Sequence, residues 1–270
     1  MPYMSLNEKP IGVFDSGFGG LTVLYKLVEV LPKEDFIYFG DTAHLPYGTK
    51  SPREIKRFVV KIIDFFKSLK VKLVVVACNS SSAVALQEVR KRVNVPVVGV
   101  IEPAVRAALK NTKSRRIGVI GTEVTVKSNA YKIAFSSANH NIKIFQKACP
   151  LFVPLVEEGL LDKEFTHSIV RYYLDELKKM SIDQLVLGCT HYPLLKKVIR
   201  EVIGDEVELV DSSVEISKEV SSALETKNIK NIQKYDGYRK FFVSGSPSRF
   251  QQRANKLFDF KIDEVKQVKL

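Results

Sequence analysis

Two cysteines stand where chemistry rather than packing would put them. In LVLGCTHYPLL (residues 185–195) Cys189 ends an apolar run, with Gly188 before it and Thr190, His191 and Pro193 after it. In VVVACNSSSAVAL (residues 74–86) Cys78 ends a similar run and is followed by Asn79 and Ser80. Each run reads as a strand leading into a helix, and a helix N-terminus favours a thiolate over a thiol. Both cysteines are therefore expected to ionise easily. His191 is close enough in the chain to exchange a proton with Cys189. Cys189 and His191 could also begin a zinc site, but no second closely spaced ligand pair appears, so no metal is expected.

One thiol beside a histidine suits a nucleophile, as in cysteine hydrolases using Cys189. That scheme lacks the second glycine of a nucleophile elbow and leaves Cys78 without a task. Two opposed thiols suit a different task, taking a proton from one face of a carbon and returning one to the other. The α-proton of an amino acid is far less acidic than a thiol. Such a site must hold the substrate carboxylate among N–H and hydroxyl donors, away from water. Each thiol also needs a proton-exchanging neighbour, for which Asp15 and His191 are the candidates.

Asp15 opens DSGFGG (residues 15–20), a glycine-rich turn between a strand and the helical LTVLYKLVEVL. A dinucleotide loop would place a glycine where Thr22 stands, so the turn is expected to suit a smaller anion such as a carboxylate. The third cysteine, Cys149, reads as packing. His44 lies in a Gly/Pro-rich loop, GDTAHLPYG, as a turn, lid or catalytic group; His140 and His167 read as surface residues.

The elements that would position these groups alternate along the chain. Strands are expected at Ile11–Phe14, Phe36–Phe39, Leu73–Ala77, Val97–Val100, Ile117–Ile120, Ile142–Phe145, Leu185–Leu187, Glu208–Val210 and Phe241–Val243, with helices between most of them. The clearest helix is Ser51–Lys70, where Ser51 caps, Pro52 takes the first turn and Glu54 completes a capping box. Such alternation predicts an α/β fold with mainly parallel sheets, whose ligands gather beyond the carboxyl ends of the strands.

IGVFDSGFGGLTV at residue 11 is echoed by IGVIGTEVTV at residue 117, an offset of 106 (117 − 11), and the two cysteines are offset by 111 (189 − 78). This repeat predicts two similar, pseudo-symmetric α/β domains with a cleft between them. The first would be residues 1–101 with 219–270, carrying Asp15 and Cys78. The second would be residues 102–218, carrying Thr122, Cys189 and His191. Residues 226–238 read as a surface loop, and Pro247–Phe258 as an element packing back on the first domain.

Bulk composition narrows the rest. The chain has 270 residues, 45% of them apolar and 27% charged, with short apolar runs that predict no membrane span. MPYMSLNEKP lacks an apolar signal core, and three cysteines argue for free thiols in a cytoplasmic protein. The net charge of +12 is spread over helix faces, with only KNTKSRR (residues 110–116) dense, so nucleic acid is not expected as the main partner.

Together, IGVFDSGFGGLTV, YFGDTAHLPYG, ACNSSSAVAL, GVIGTEVTV, VPLVEEG and LVLGCTHYPLL resemble the motifs of the glutamate racemases, in the aspartate/glutamate racemase superfamily, in that family's order. The resemblance implies cofactor-independent two-base interconversion of L- and D-glutamate, supplying D-glutamate for peptidoglycan, usually in a homodimer. Aspartate racemase is the nearest rival. By position, Cys78 and Cys189 would be the acid–base thiols, Cys78 acting on D-glutamate and Cys189 on L-glutamate. Asp15 would assist the first, and Glu157 with His191 the second, with either Glu157 or Glu158 facing the site. Asp15, Ser16, Tyr47, Gly48, Asn79, Ser80, Thr122, Thr190 and His191 would bind the substrate. Ser80 stands where the family usually has threonine and keeps the hydroxyl. The resemblance also implies that Tyr47→Ala weakens turnover without unfolding the protein.

Overall fold

The computed structural model describes residues 5–258 and 261–270, so the first four residues of the N-terminal stretch lie outside it. The chain opens with β1 (Ile11–Asp15), α1 (Leu21–Val30), β2 (Phe36–Gly40), α2 (Pro52–Ser68), β3 (Leu73–Val76), α3 (Asn79–Arg92) and β4 (Val97–Gly99). It continues with α4 (Ile101–Asn111), β5 (Arg116–Gly121), α5 (Glu123–Lys127), α6 (Ala130–Ala138), β6 (Lys143–Ala148), α7 (Phe152–Glu157), α8 (Glu164–Lys178) and β7 (Gln184–Gly188). It closes with α9 (Lys196–Ile203), β8 (Glu208–Asp211), α10 (Ser212–Thr226), β9 (Arg239–Val243), α11 (Pro247–Leu257) and β10 (Val265–Gln267).

Local chemistry explains the clearest elements. Ser51 and Glu54 form the reciprocal capping box of α2, and Pro52 occupies its first turn. Apolar side chains of α2 at helical spacing, from Ile55 to Phe66, then pack under the sheet. The central strands β1, β2, β3 and β7 are buried along their whole length, as parallel strands covered on both faces must be.

The strands form two parallel sheets, ordered β10-β9-β2-β1-β3-β4 and β6-β5-β7-β8. The repeat is therefore topological as well as textual, because β2-β1-β3-β4 and β6-β5-β7-β8 are the same order. In each sheet the direction of winding reverses at one place, between β1 and β3 or between β5 and β7. Crevices open at such switch points beyond the strand ends. Asp15 ends β1 and Cys78 follows β3; Thr122 follows β5 and Cys189 follows β7. Topology alone thus brings all four to crevice mouths.

The chain returns to the first sheet through α10, which packs on both α1 and α4. Apolar residues of both sheets, Val13 and Tyr38 among them with Val119 and Leu187, share one continuous core cluster. Residues 227–238 form a loop, and α11 packs on β9 and β10, with Phe250 beside Tyr38 at 6.0 Å between ring centroids. Two differences from the expected elements occur at sheet edges. β6 runs on to Ala148, and β10 is an added strand, each held by pairing to a neighbour rather than by an apolar pattern of its own.

Candidate active site

The two thiols have different surroundings. Cys78 is the N-cap of α3, and its Sγ accepts a hydrogen bond from the Ser81 N–H at 3.5 Å. Burial, with Asp15 and Cys189 adding to it, nevertheless pushes this thiol up to about 12. The expected easy ionisation at the helix end is overturned here. A helix terminus offers roughly half a unit charge, and full burial of a thiolate outweighs that.

Cys189 does not begin an α-helix. Its carbonyl accepts the Tyr192 N–H at 3.1 Å, and a single 3-10 turn, Tyr192–Leu195, follows. Its nearest titratable neighbour is His191, whose Nδ1 lies 3.8 Å from Sγ while Nε2 lies 3.2 Å from Glu157 Oε1. Burial alone would lower the proton affinity of His191. The hydrogen bonds to Cys189 and Glu157, with Asp15 nearby, reverse this and hold the imidazole at about 10. Both ring nitrogens face acceptors, which suits an imidazolium.

Asp15 is fully buried between the halves; its Oδ1 accepts from Thr190 Oγ1 at 3.2 Å and its Oδ2 from the Gly17 N–H at 3.0 Å. The glycine-rich turn was expected to receive a foreign carboxylate. Its Gly17 N–H is instead taken by Asp15 itself, because a carboxylate two residues back reaches that donor first. The turn also presses against the opposite half. Thr22 Oγ1 donates to the Thr190 carbonyl at 3.1 Å, and the Phe18 ring meets His191 edge-on at 5.2 Å.

A third group consists of amides and hydroxyls. Ser80 Oγ lies 2.9 Å from Thr122 Oγ1, which lies 3.0 Å from Thr125 Oγ1. Asn79 Oδ1 accepts from the Tyr131 hydroxyl at 2.8 Å, whereas the buried Asn79 Nδ2 has no partner among the described residues. An unpaired buried donor costs about 1–3 kcal/mol, which a bound carboxylate would relieve. Asn79, Thr122, Thr190 and His191 line one cavity with both thiols and with Ser16, and its volume is about 20 Å³. That is room for about one water and too little for an amino acid. A wider opening of about 350 Å³ adjoins it, between Leu45–Thr49 and Pro150–Glu158.

The family model for Asp/Glu/Hydantoin racemase matches residues 11–216, the span that carries every group described above. The chain belongs to that racemase family. A curated glutamate racemase of Geobacter metallireducens is 48% identical over 97% of both chains. The solved glutamate racemase isoform of Bacillus anthracis superposes with a TM-score of 0.94 at 39% identity, covering 97% of this chain and 98% of that one. The Francisella tularensis glutamate racemase, solved in complex with D-glutamate, superposes with a TM-score of 0.91 at 36% identity, covering 97% of this chain and 98% of that one. An aspartate racemase homologue of Pyrococcus horikoshii, at 20% identity and a TM-score of 0.59, shares the fold alone.

Within this racemase-family site, Asp15, Cys78, Glu157, Cys189 and His191 come together as expected, and so do Ser16, Asn79, Ser80, Thr122 and Thr190. Gly48 lies against Thr122; a Cβ there would stand 2.8 Å from the threonine Cβ. Of the two acids, Glu157 faces His191 and Glu158 points outward to Arg253 at 3.4 Å. Tyr47 differs. Although it lines the cavity, its side chain is buried beside Phe58, with the hydroxyl donating to Asp41. His44 stacks on Phe58 at 3.9 Å and bonds Asp41, so this loop is built as much on its own core as on the cleft.

Tyr47→Ala should therefore destabilise the racemase by about 3–5 kcal/mol through the cavity it leaves. Thermal unfolding of Tyr47→Ala and Tyr47→Phe checks this; an unchanged melting temperature for the alanine variant would contradict the packing role. Sequence reading missed Tyr131 and Arg253, whose partners Asn79 and Glu157 lie far away in the chain, and Thr125, which sits one turn from Thr122.

Proposed function

We propose that this chain interconverts L-glutamate and D-glutamate by a cofactor-independent two-base mechanism. What carries the reading is that two buried thiols follow equivalent strands, β3 and β7, of two sheets and line one cavity. Cys189 takes the α-proton of L-glutamate, and Cys78, whose thiol burial pushes up, delivers one to the opposite face. In the reverse direction the roles exchange. Asn79 Nδ2, which has no other partner among the described residues, and the Ser80 and Thr122 hydroxyls receive the α-carboxylate in this reading, where negative charge grows as the proton leaves. Thr190 joins them once its hydroxyl turns from Asp15. Asp15 stands beside the Cys78 side, and His191 with Glu157 serves Cys189.

The working unit is two α/β domains, residues 1–101 with 219–270 and residues 102–218, with Tyr47 and Gly48 on one side of the cleft. The enzyme acts as a cytoplasmic homodimer that supplies D-glutamate for peptidoglycan, a reading supported by its glutamate racemase motifs. No described helix is long and apolar enough to cross a membrane.

Circular dichroism of L-glutamate, with L-aspartate alongside, incubated with pure protein tests the proposal. Glutamate optical activity should decay to zero and aspartate should persist; the opposite pattern would move the reading to aspartate racemisation. Prior dialysis against a chelator and a carbonyl reagent should leave the rate unchanged. A lost rate would end the cofactor-free claim.

A further inference from the structure

The Glu157 carboxylate is shared between two cations. Oε1 lies 3.2 Å from His191 Nε2, and Oε2 carries an ion pair with Arg253 Nη1. Arg253 sits on α11, which packs on the first sheet, whereas Glu157 ends α7, beside the 3-10 turn that follows Cys189. The ion pair thus spans the two halves at the cleft. A second contact lies alongside: Gly159, at φ +71°, passes so near α11 that a Cβ there would meet Lys256 Nζ at 3.2 Å. Glu157 is almost closed from solvent and Arg253 is a quarter exposed, so water screens this pair less than the surface ones.

We propose that Arg253 is a positioning residue, which holds Glu157 against His191 and sets how tightly the Cys189 side of the site keeps its proton. The proposal rests on the racemase reading for its kinetic consequence but not for its electrostatic one. The charged and titratable groups around His191 are Cys189 on its own turn, Glu157 on α7 and Asp15 on β1, with the Phe18 ring on the remaining side. Glu157 faces His191 and Arg253; Arg253 faces Glu157 and Glu158. Removing the guanidinium leaves this cluster one charge more negative. Every group in it then binds its proton more tightly, whichever microstate is written for the Cys189–His191 pair.

The variants are Arg253→Gln and Arg253→Met, the second keeping the apolar stem, with Arg253→Lys as the charge-retaining control. The basic limb of the kcat–pH profile should move up by roughly one pH unit in the first two and stay near the parent in the third. The ratio of kcat in the two directions should also change, because Arg253 reaches the Cys189 side through Glu157 and His191 and, among the described residues, has no such chain of contacts to Cys78. NMR titration of His191 without substrate should move upward in parallel. Superimposed profiles, a downward shift, or a lysine variant shifted as far as glutamine would overturn the proposal. A parent protein inert towards glutamate would sink the racemase reading instead and leave the NMR titration to decide on Arg253.

Discussion

Replacing Cys78 by serine should reduce racemisation by roughly a thousandfold or more, the scale of a lost general acid–base group. A serine hydroxyl, far less acidic than a thiol already pushed to about 12, neither becomes a base near neutral pH nor delivers a proton as readily. Cys189→Ser should do the same from the other side. The two enantiomers have equal free energy, so kcat/KM must stay equal in both directions for any variant, and reversible kinetics cannot tell which thiol serves which face. Elimination from a glutamate analogue bearing a β leaving group can, since it needs abstraction without reprotonation. Cys78→Ser should keep elimination from the L analogue, served by Cys189, and Cys189→Ser should keep it from the D analogue. Equal loss for both enantiomers in both variants would mean that the thiols do not divide the faces. A variant racemising at the parent rate would remove its cysteine from the mechanism.

Adding one methyl group at Gly19 should cost roughly a hundredfold in kcat. A Cβ there would lie 2.5 Å from His191 Nδ1 and 2.7 Å from Thr190 Oγ1, closer than Cβ atoms of folded proteins come to their neighbours. His191 Nδ1 is the atom that faces Cys189 Sγ, so relief of the clash must draw the imidazole off the thiol. Misplacing a catalytic group by about 1 Å can lose that much rate. Overpacking adds a stability loss of about 1–3 kcal/mol, visible as a lower melting temperature. Steady-state kinetics of Gly19→Ala beside its thermal unfolding separates the two effects. A folded variant with parental kcat would show that the turn yields instead of the imidazole.

Much of this protein was written locally. The capping box of α2 needs only Ser51, Pro52 and Glu54, and the central strands announce themselves by unbroken apolar runs. The offsets that relate residue 11 to 117 and Cys78 to Cys189 reappear as one strand order used twice. Thiols at strand ends, and so the kind of chemistry, followed from signals a few residues wide.

What needed the tertiary structure depends on neighbours far away in the chain. Cys78 has a helix end that favours thiolate, and only the depth of its burial beside Asp15 pushes the thiol up instead. The choice of Glu157 over Glu158 turns on which face of α7 meets the turn after Cys189. Tyr47 carries a hydroxyl fit for a substrate, yet Asp41 and Phe58 claim it for the core. Arg253 reaches the site from α11, 96 positions after Glu157, and nothing in SRFQQRANKL marks it. Spacing carries periodicity and caps, but burial and ion pairing are set by whatever the folded chain brings alongside, and that is fixed only when the two sheets close on each other.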